Sequence, residues 1–175
     1  MNIKTKRLII AAIIGALYAV LTMVLAPISY GPLQFRVSEV LCILPYFMPY
    51  TAWGLFFGCV IANLISAAGI LDVVFGSLAT LIACMCVAAC GKSGNGSLRS
   101  KALACFMPVI WNAIIVGATL TIAIAGLNPL KEFGAFLVFA GEVGLGELGV
   151  MYIIGLPLMV YLPKQKFFTE FVQKH

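Results

Sequence analysis

Long stretches of this chain carry no charged residue. Leu8 to Ala26, Thr51 to Ser66 and Ala102 to Ala125 are each continuous apolar or weakly polar runs. About 20 such residues wound as a helix cross a hydrocarbon layer. The runs do not alternate polar with apolar residues, so they predict helices rather than barrel strands. Charged types make up 10% of the 175 residues and apolar types 63%, against about 25% charged in an ordinary soluble domain. A soluble globule of this size could not cover its surface with so few charges. The composition therefore excludes a soluble enzyme, a disordered chain and a nucleic-acid-binding domain. The length allows a single domain over 1–175, with roughly five to seven spans.

Six apolar segments follow from the pattern: Leu8–Ala26, Val37–Met48, Thr51–Ser66, Asp72–Cys90, Ala102–Ala125, and one within Phe133–Leu162. The first follows a basic start, as a secretory signal would, but it is longer than a signal's apolar core. It is read as a retained span. The second and third are interrupted by Pro45 and Pro49, and proline breaks or kinks a helix. Residues 37–66 are thus open to two readings, two short spans or one kinked one.

Charge placement decides between them. The net charge is +5, but the basic residues sit in clusters between apolar runs, a pattern of membrane topology rather than of nucleic-acid binding. With six spans, the N-terminal tail, the 91–101 loop and the C-terminal tail share one side. Lys4, Lys6, Arg7, Lys92, Arg99, Lys101, Lys164, Lys166 and Lys174 then face Arg36 and Lys131. With five spans the basic N-terminus and the basic loop fall on opposite sides. The positive-inside rule favours an all-α bundle of six transmembrane helices with both termini cytoplasmic. Of the acids, only Glu170 is then cytoplasmic. Glu39, Asp72, Glu132, Glu142 and Glu147 lie outside or within the membrane, where acids face a cavity or a partner. Such a set suits a ligand that is cationic or rich in hydrogen-bond donors.

Several motifs carry more than one reading. Ala11, Gly15 and Ala19 form a small-residue ladder on the first segment, and Ala12 and Ala16 form another. Each lets a helix approach closely, from this chain or from a partner. The loop Pro27–Glu39 mixes aromatics, a Gly31-Pro32 turn, Gln34 and Arg36. Arg36 and Glu39 serve either to cap the second helix or, with Tyr30 and Phe35, to form a lid over a planar ligand. Asp72 is a helix-start acid or a ligand carboxylate. Glu142 and Glu147 lie among four glycines in Gly141–Gly149, and share a face only if the helix bulges or unwinds there. Trp111 and Asn112 stand near mid-depth of the fifth segment, either packing or lining a cavity.

Enzyme readings fail. The one histidine is the final residue, His175, so Ser–His or His–metal catalysis lacks a partner. Gly91-Lys92-Ser93 imitates the end of a phosphate loop, but Cys86 stands where its first glycine belongs. Cys42, Cys59, Cys84, Cys86, Cys90 and Cys105 fall in or beside spans and imply neither a disulfide nor a zinc framework. No cofactor and no metal are expected.

The run from Tyr30 through Glu39, then Leu44-Pro45-Tyr46-Phe47 and Asp72–Thr80, resembles the QueT family across essentially the whole chain. These are the substrate-binding S components of energy-coupling factor (ECF) transporters. The resemblance implies a high-affinity binder of a queuosine precursor, the 7-deazaguanine base preQ1 or preQ0. It implies partnership with a transmembrane coupling subunit and two cytoplasmic ATPases, and toppling in the membrane to release ligand. It also implies that the first helix meets the coupling subunit through Ala12 and Ala16, beside Ala11, Gly15 and Ala19. Candidate ligand carboxylates are Asp72, Glu142 and Glu147, with Glu39 in the adjoining loop. Tyr30, Phe35 and Trp111 are candidates to stack on the ring. Gln34, Arg36 and Asn112 are candidates to reach its carbonyl oxygen. An S component for another water-soluble vitamin, or a small channel or structural membrane protein, are the alternative readings.

Overall fold

The computed structural model describes residues 2–31 and 33–174; Pro32 of the Gly31-Pro32 turn and His175 lie outside the described residues. Helices α1 (Ile3–Val24) and α2 (Ala26–Ser29) come first. A 3₁₀ helix, Val37–Tyr46, follows, then α3 (Thr51–Asn63). A π-turn at Asp72–Gly76 leads into α4 (Ser77–Ser93), and α5 is Leu98–Ala123. Next, α6 (Phe133–Val150) passes through a second π-turn, Met151–Gly155, into α7 (Leu156–Tyr161). A short 3₁₀ turn, Leu162–Lys164, precedes α8 (Lys166–Lys174). There is no strand among the described residues.

Four helical stretches are long and apolar enough to cross a membrane: Ile3–Val24, Asp72–Ser93, Leu98–Ala123 and Phe133–Lys164. Val37–Tyr46 and Thr51–Asn63 are apolar but shorter. Each of these two rises only about 20 Å, against a hydrocarbon core of about 30 Å. The first helix starts earlier than the apolar run alone predicts, because the Asn2 side chain accepts from the Lys4 amide at 3.3 Å and caps it. Ser97 does the same for α5 through the Ser100 amide, at 3.2 Å. The fifth helix runs on through Pro108.

The second apolar segment is neither an ordinary α-helix nor a lipid-facing span. As a 3₁₀ helix it stacks every third residue. Glu39, Cys42 and Pro45 form one ridge; Val40, Ile43 and Tyr46 form the next; all six are buried. The segment is threaded through the middle of the bundle, touching α1, α3, α4, α5 and α6. Around it lie Tyr18, Leu55, Cys59 and Cys84 on one side and Val87, Cys105, Val109 and Met151 on the other.

Close approach of backbones holds α3 to α1. A Cβ added at Gly54 would strike the carbonyl of Ala11, and one added at Gly58 the carbonyl of Gly15. Gly15 and Ala11, both buried, are thus spent on packing within the chain. Ala19 is buried on the same face, whereas Ala12 and Ala16 are exposed.

Gly58→Leu is expected to lower the thermal midpoint of the detergent-solubilised protein, because overpacking costs about 1–3 kcal/mol. Gly134→Ala, where an added Cβ meets nothing, is expected to leave it unchanged. Equal midpoints for Gly58→Leu and the parent would contradict the backbone-on-backbone contact.

Candidate functional site

Glutamates, aspartate and arginine that are far apart in sequence meet around the first turn of the 3₁₀ helix. Arg36, 4% exposed, precedes it, and Glu39, fully buried, lies in it. Three residues separate them, so the guanidinium reaches back: Arg36 Nη1 lies 3.8 Å from Glu39 Oε1. The same guanidinium stands 4.0 Å, through Nη2, from Asp72 Oδ2. A buried guanidinium needs such partners, since an uncompensated charge in an apolar interior is strongly unfavourable.

The carboxylate of Glu39 is held from both sides. The Tyr18 hydroxyl donates to Oε1 at 2.5 Å. The Cys42 thiol, one 3₁₀ turn further on, donates to Oε2 at 3.0 Å. Cys59 of α3 sits beneath, within 3.6 Å of the Tyr18 hydroxyl, 3.8 Å of Arg36 Nη1 and 3.4 Å of Asn63 Nδ2. Asn63 Nδ2 also donates to the Asp72 carbonyl at 2.9 Å, pinning the π-turn. That turn places Asp72 Oδ1 against Gly76, where no Cβ intervenes.

Across from Glu39, Asn112 of α5 donates from Nδ2 to Glu147 Oε1 of α6 at 2.8 Å. Both residues are buried. Between the two groups lies a cavity of about 10 Å³, lined by Gln34, Arg36, Glu39, Asn112, Val116, Val143 and Glu147. Several buried polar atoms around it have no hydrogen-bond partner in the described structure: Arg36 Nη2, Asn63 Oδ1, Asn112 Oδ1 and both carboxylate oxygens of Asp72. Buried polar groups are ordinarily satisfied, so this concentration marks the site as polar capacity held ready.

A larger recess of about 270 Å³ adjoins it, lined by Tyr30, Gly31, Gln34, Ser66, Ala67, Ala68, Leu120, Ile124, Phe139 and Glu142. Gln34 is a wall of both spaces. Its φ of 42° is in the left-handed region, which few residues other than glycine adopt. The loop is pressed onto α6 there: a Cβ at Gly146 would strike the Leu33 carbonyl. Tyr30 lies over Arg36, whose Cζ is 5.7 Å from the ring centroid, and its hydroxyl donates to the Ala62 carbonyl at 2.5 Å. Burial raises the Tyr30 phenol above its ordinary pKa, which keeps that donor protonated.

Gln34, Arg36, Glu39, Asn112 and Glu147 therefore converge on the inner cavity, and Asp72 backs Arg36. Glu142 does not join them. The π-turn that could have brought the two glutamates together comes later, at Met151–Gly155, and α6 is regular through Val150. Five residues apart on a regular helix, Glu147 faces inward and Glu142 borders the outer recess. Phe35 is 41% exposed and rests its ring edge near Gly149; it lines neither space. Trp111 is half-buried and also lines neither.

A family model described as QueT transporter matches residues 8–164. The chain belongs to the QueT transporter family. The matched range takes in every residue of the polar cluster, from Tyr18 to Glu147. Over 81 residues the chain is 43% identical to the queuosine precursor transporter QueT of Lactococcus lactis subsp. cremoris (strain MG1363). That stretch covers 45% of this chain and 47% of the relative, so the chain spans about half the length of the curated relative it matches. No solved structure matches the chain. Membership in the QueT transporter family, with several long apolar helices, makes this a multi-pass membrane protein of a transport family.

Tyr18 and Cys59 are site residues that the sequence pattern did not single out. The available signal for Tyr18 was a hydroxyl deep in an apolar helix, away from either end, which needs a buried partner. Cys59 read as a small apolar residue, and only the fold gives it polar neighbours.

Arg36→Leu leaves Glu39 and Asp72 buried without a cation and is expected to destabilise by about 3–5 kcal/mol. A marked fall in the thermal midpoint checks this. A midpoint equal to the parent's would mean that the acids do not depend on the guanidinium.

Proposed function

We propose that the chain is the substrate-binding S component of an ECF-type importer and that its ligand is a 7-deazaguanine base, preQ1 or preQ0. Binding, not chemical conversion, is its task. The observation that most supports this is the Asn112–Glu147 pair on the cavity wall, 2.8 Å apart, with Asn112 Oδ1 still free to accept. The Watson–Crick edge of a deazaguanine presents N1–H and an exocyclic amine, and a carboxylate accepts both. Asn112 Oδ1 takes a further donor, while Arg36 or Gln34 donates to the ring carbonyl. Three inner carboxyl groups stand against one guanidinium, which favours a donor-rich or cationic ligand.

A cavity of about 10 Å³ holds roughly one water, so the base enters only as Leu33 and Gln34 move off Gly146 of α6. The outer recess of about 270 Å³ approaches the size of small-molecule pockets, which begin near 300 Å³. Tyr30 and Glu142 suit it as the entrance for a planar ring bearing an amine.

In the same reading, six segments cross the membrane with both termini cytoplasmic. The short 3₁₀ segment and α3 are the second and third. The exposed Ala12 and Ala16 lie in an apolar groove of about 290 Å³ with Leu8, Trp53, Phe57 and Ile61. That groove is where the coupling subunit, itself carried by two ATPases, docks on α1.

Two experiments test this. Calorimetric titration of the purified protein with preQ1 and preQ0 is expected to give saturable binding, weakened tenfold or more in Glu147→Gln and in Asn112→Ala. Unchanged affinity in both variants would refute the site, and tight binding of another vitamin instead would refute the substrate. Ala12→Leu and Ala16→Leu are expected to keep full ligand affinity while abolishing uptake in cells that carry the energising subunits. Uptake at the parent rate would refute docking on α1.

A further inference from the structure

Within the apolar run of α1 that begins at Leu8, Tyr18 and Thr22 lie on the buried face, and each is joined to the start of the 3₁₀ helix. Tyr18, fully buried, donates to Glu39 Oε1 at 2.5 Å. One turn on, the Thr22 hydroxyl lies 2.6 Å from the Ser38 hydroxyl, and both residues are fully buried. Thr22 is itself anchored to its own helix, donating to the Tyr18 carbonyl at 2.9 Å. A tyrosine and a threonine four apart on a helix share one face, so the two contacts act as a pair of fasteners along one edge. They grip consecutive residues, Ser38 and Glu39, just after Arg36.

Among the described residues, the other side-chain partners of this run include the Cys42 thiol, 3.0 Å from Glu39 Oε2 in the same 3₁₀ helix, and Cys59 Sγ of α3, 3.8 Å from Arg36 Nη1. The ion pairs of Arg36 are 3.8 and 4.0 Å long, beyond hydrogen-bond length. The loop before it meets α6 by contact of Leu33 with Gly146. We infer that Tyr18 and Thr22 are positioning residues that fix the Glu39 carboxylate and the Arg36 guanidinium at the ligand cavity by tying them to α1. Tyr18 touches neither cavity, so it acts through Glu39 rather than on the ligand. Ala12 and Ala16, exposed beside the buried face in the groove α1 shares with α3, take no part in either contact. The affinity part of this inference rests on the ligand reading above; the mechanical part does not.

The test has two arms on the full-length protein in detergent. Hydrogen–deuterium exchange without ligand is measured for the parent, Tyr18→Phe and Thr22→Val. Faster exchange confined to residues 34–42, with α5 and α6 unchanged, is expected. Unchanged exchange in 34–42, or a rise spread over all helices, overturns the inference. Titration with preQ1 then compares Tyr18→Phe, Glu39→Gln and the double variant. Tyr18→Phe is expected to weaken binding about tenfold, the scale of a hydrogen bond to a charged group. The double variant is expected to bind no worse than Glu39→Gln, since both act through one carboxylate. Full affinity in Tyr18→Phe, or penalties that simply add, overturns it. Val20→Ala, on the exposed face of α1, is the unaffected control. If the parent itself does not bind preQ1, the ligand reading falls, and the exchange arm alone decides the positioning role.

Discussion

A guanidinium inside an apolar bundle has to be faced by anionic partners, because an uncompensated buried charge is strongly unfavourable. Arg36 imposes that requirement here, and much of the interior is arranged to meet it. Glu39 comes from its own 3₁₀ turn and Asp72 from the π-turn before α4. Each acid in turn draws in further polar groups: Tyr18 and Cys42 for Glu39, and Asn63 for the backbone at Asp72. Four separate stretches of chain are thereby drawn to one point: α1, the 3₁₀ helix with Arg36 before it, α3 and the π-turn at Asp72–Gly76. Two departures from regular helix, the 3₁₀ helix Val37–Tyr46 and the π-turn Asp72–Gly76, lie at that point too. The 3₁₀ winding stacks Cys42 under Glu39, and the π-turn sets Asp72 against a glycine.

The second set of constraints is steric. The bundle closes around the cluster because glycine and alanine let backbones touch, α3 on α1 at Gly54 and Gly58 and the 33–34 loop on α6 at Gly146. On α1 this divides two ladders that look equivalent as text. Ala11, Gly15 and Ala19 turn inward, and Ala12 and Ala16 remain on the outer surface. The helix thus has one face committed to the fold and one left for lipid or a partner, with the polar anchors Tyr18 and Thr22 on the committed side.

Much of this was legible in the residues. The long uncharged runs predict helices that cross a membrane, and rarity of charge draws attention to Arg36, Lys131, Glu39, Asp72, Glu132, Glu142 and Glu147, of which Arg36, Glu39, Asp72 and Glu147 gather. An amide in an apolar helix either ties helices together or faces a ligand, and Asn112 both meets Glu147 and lines the inner cavity. The misses have physical reasons. Val37–Met48 reads as a helix by hydropathy, yet hydropathy does not distinguish α from 3₁₀ winding, and the pairing of Glu39 with Cys42 depends on that difference. Glu142 and Glu147 share one glycine-rich stretch, but glycine permits an irregular turn without requiring one, and the π-turn falls later. Phe35 and Trp111 are aromatic residues whose direction only the packing decides. Tyr18 was overlooked because its partner lies 21 residues away, a distance that no local pattern encodes.

We propose that a donor-rich planar base is gripped between Glu39 and Arg36 on one side and Asn112 and Glu147 on the other. A structure of the protein determined with preQ1 tests it most directly. The base is expected in an enlarged inner cavity, its N1–H and exocyclic amine on the Glu147 carboxylate, with Leu33 and Gln34 displaced from Gly146. A base bound only in the outer recess beside Glu142, with Glu147 still paired solely to Asn112, would contradict it.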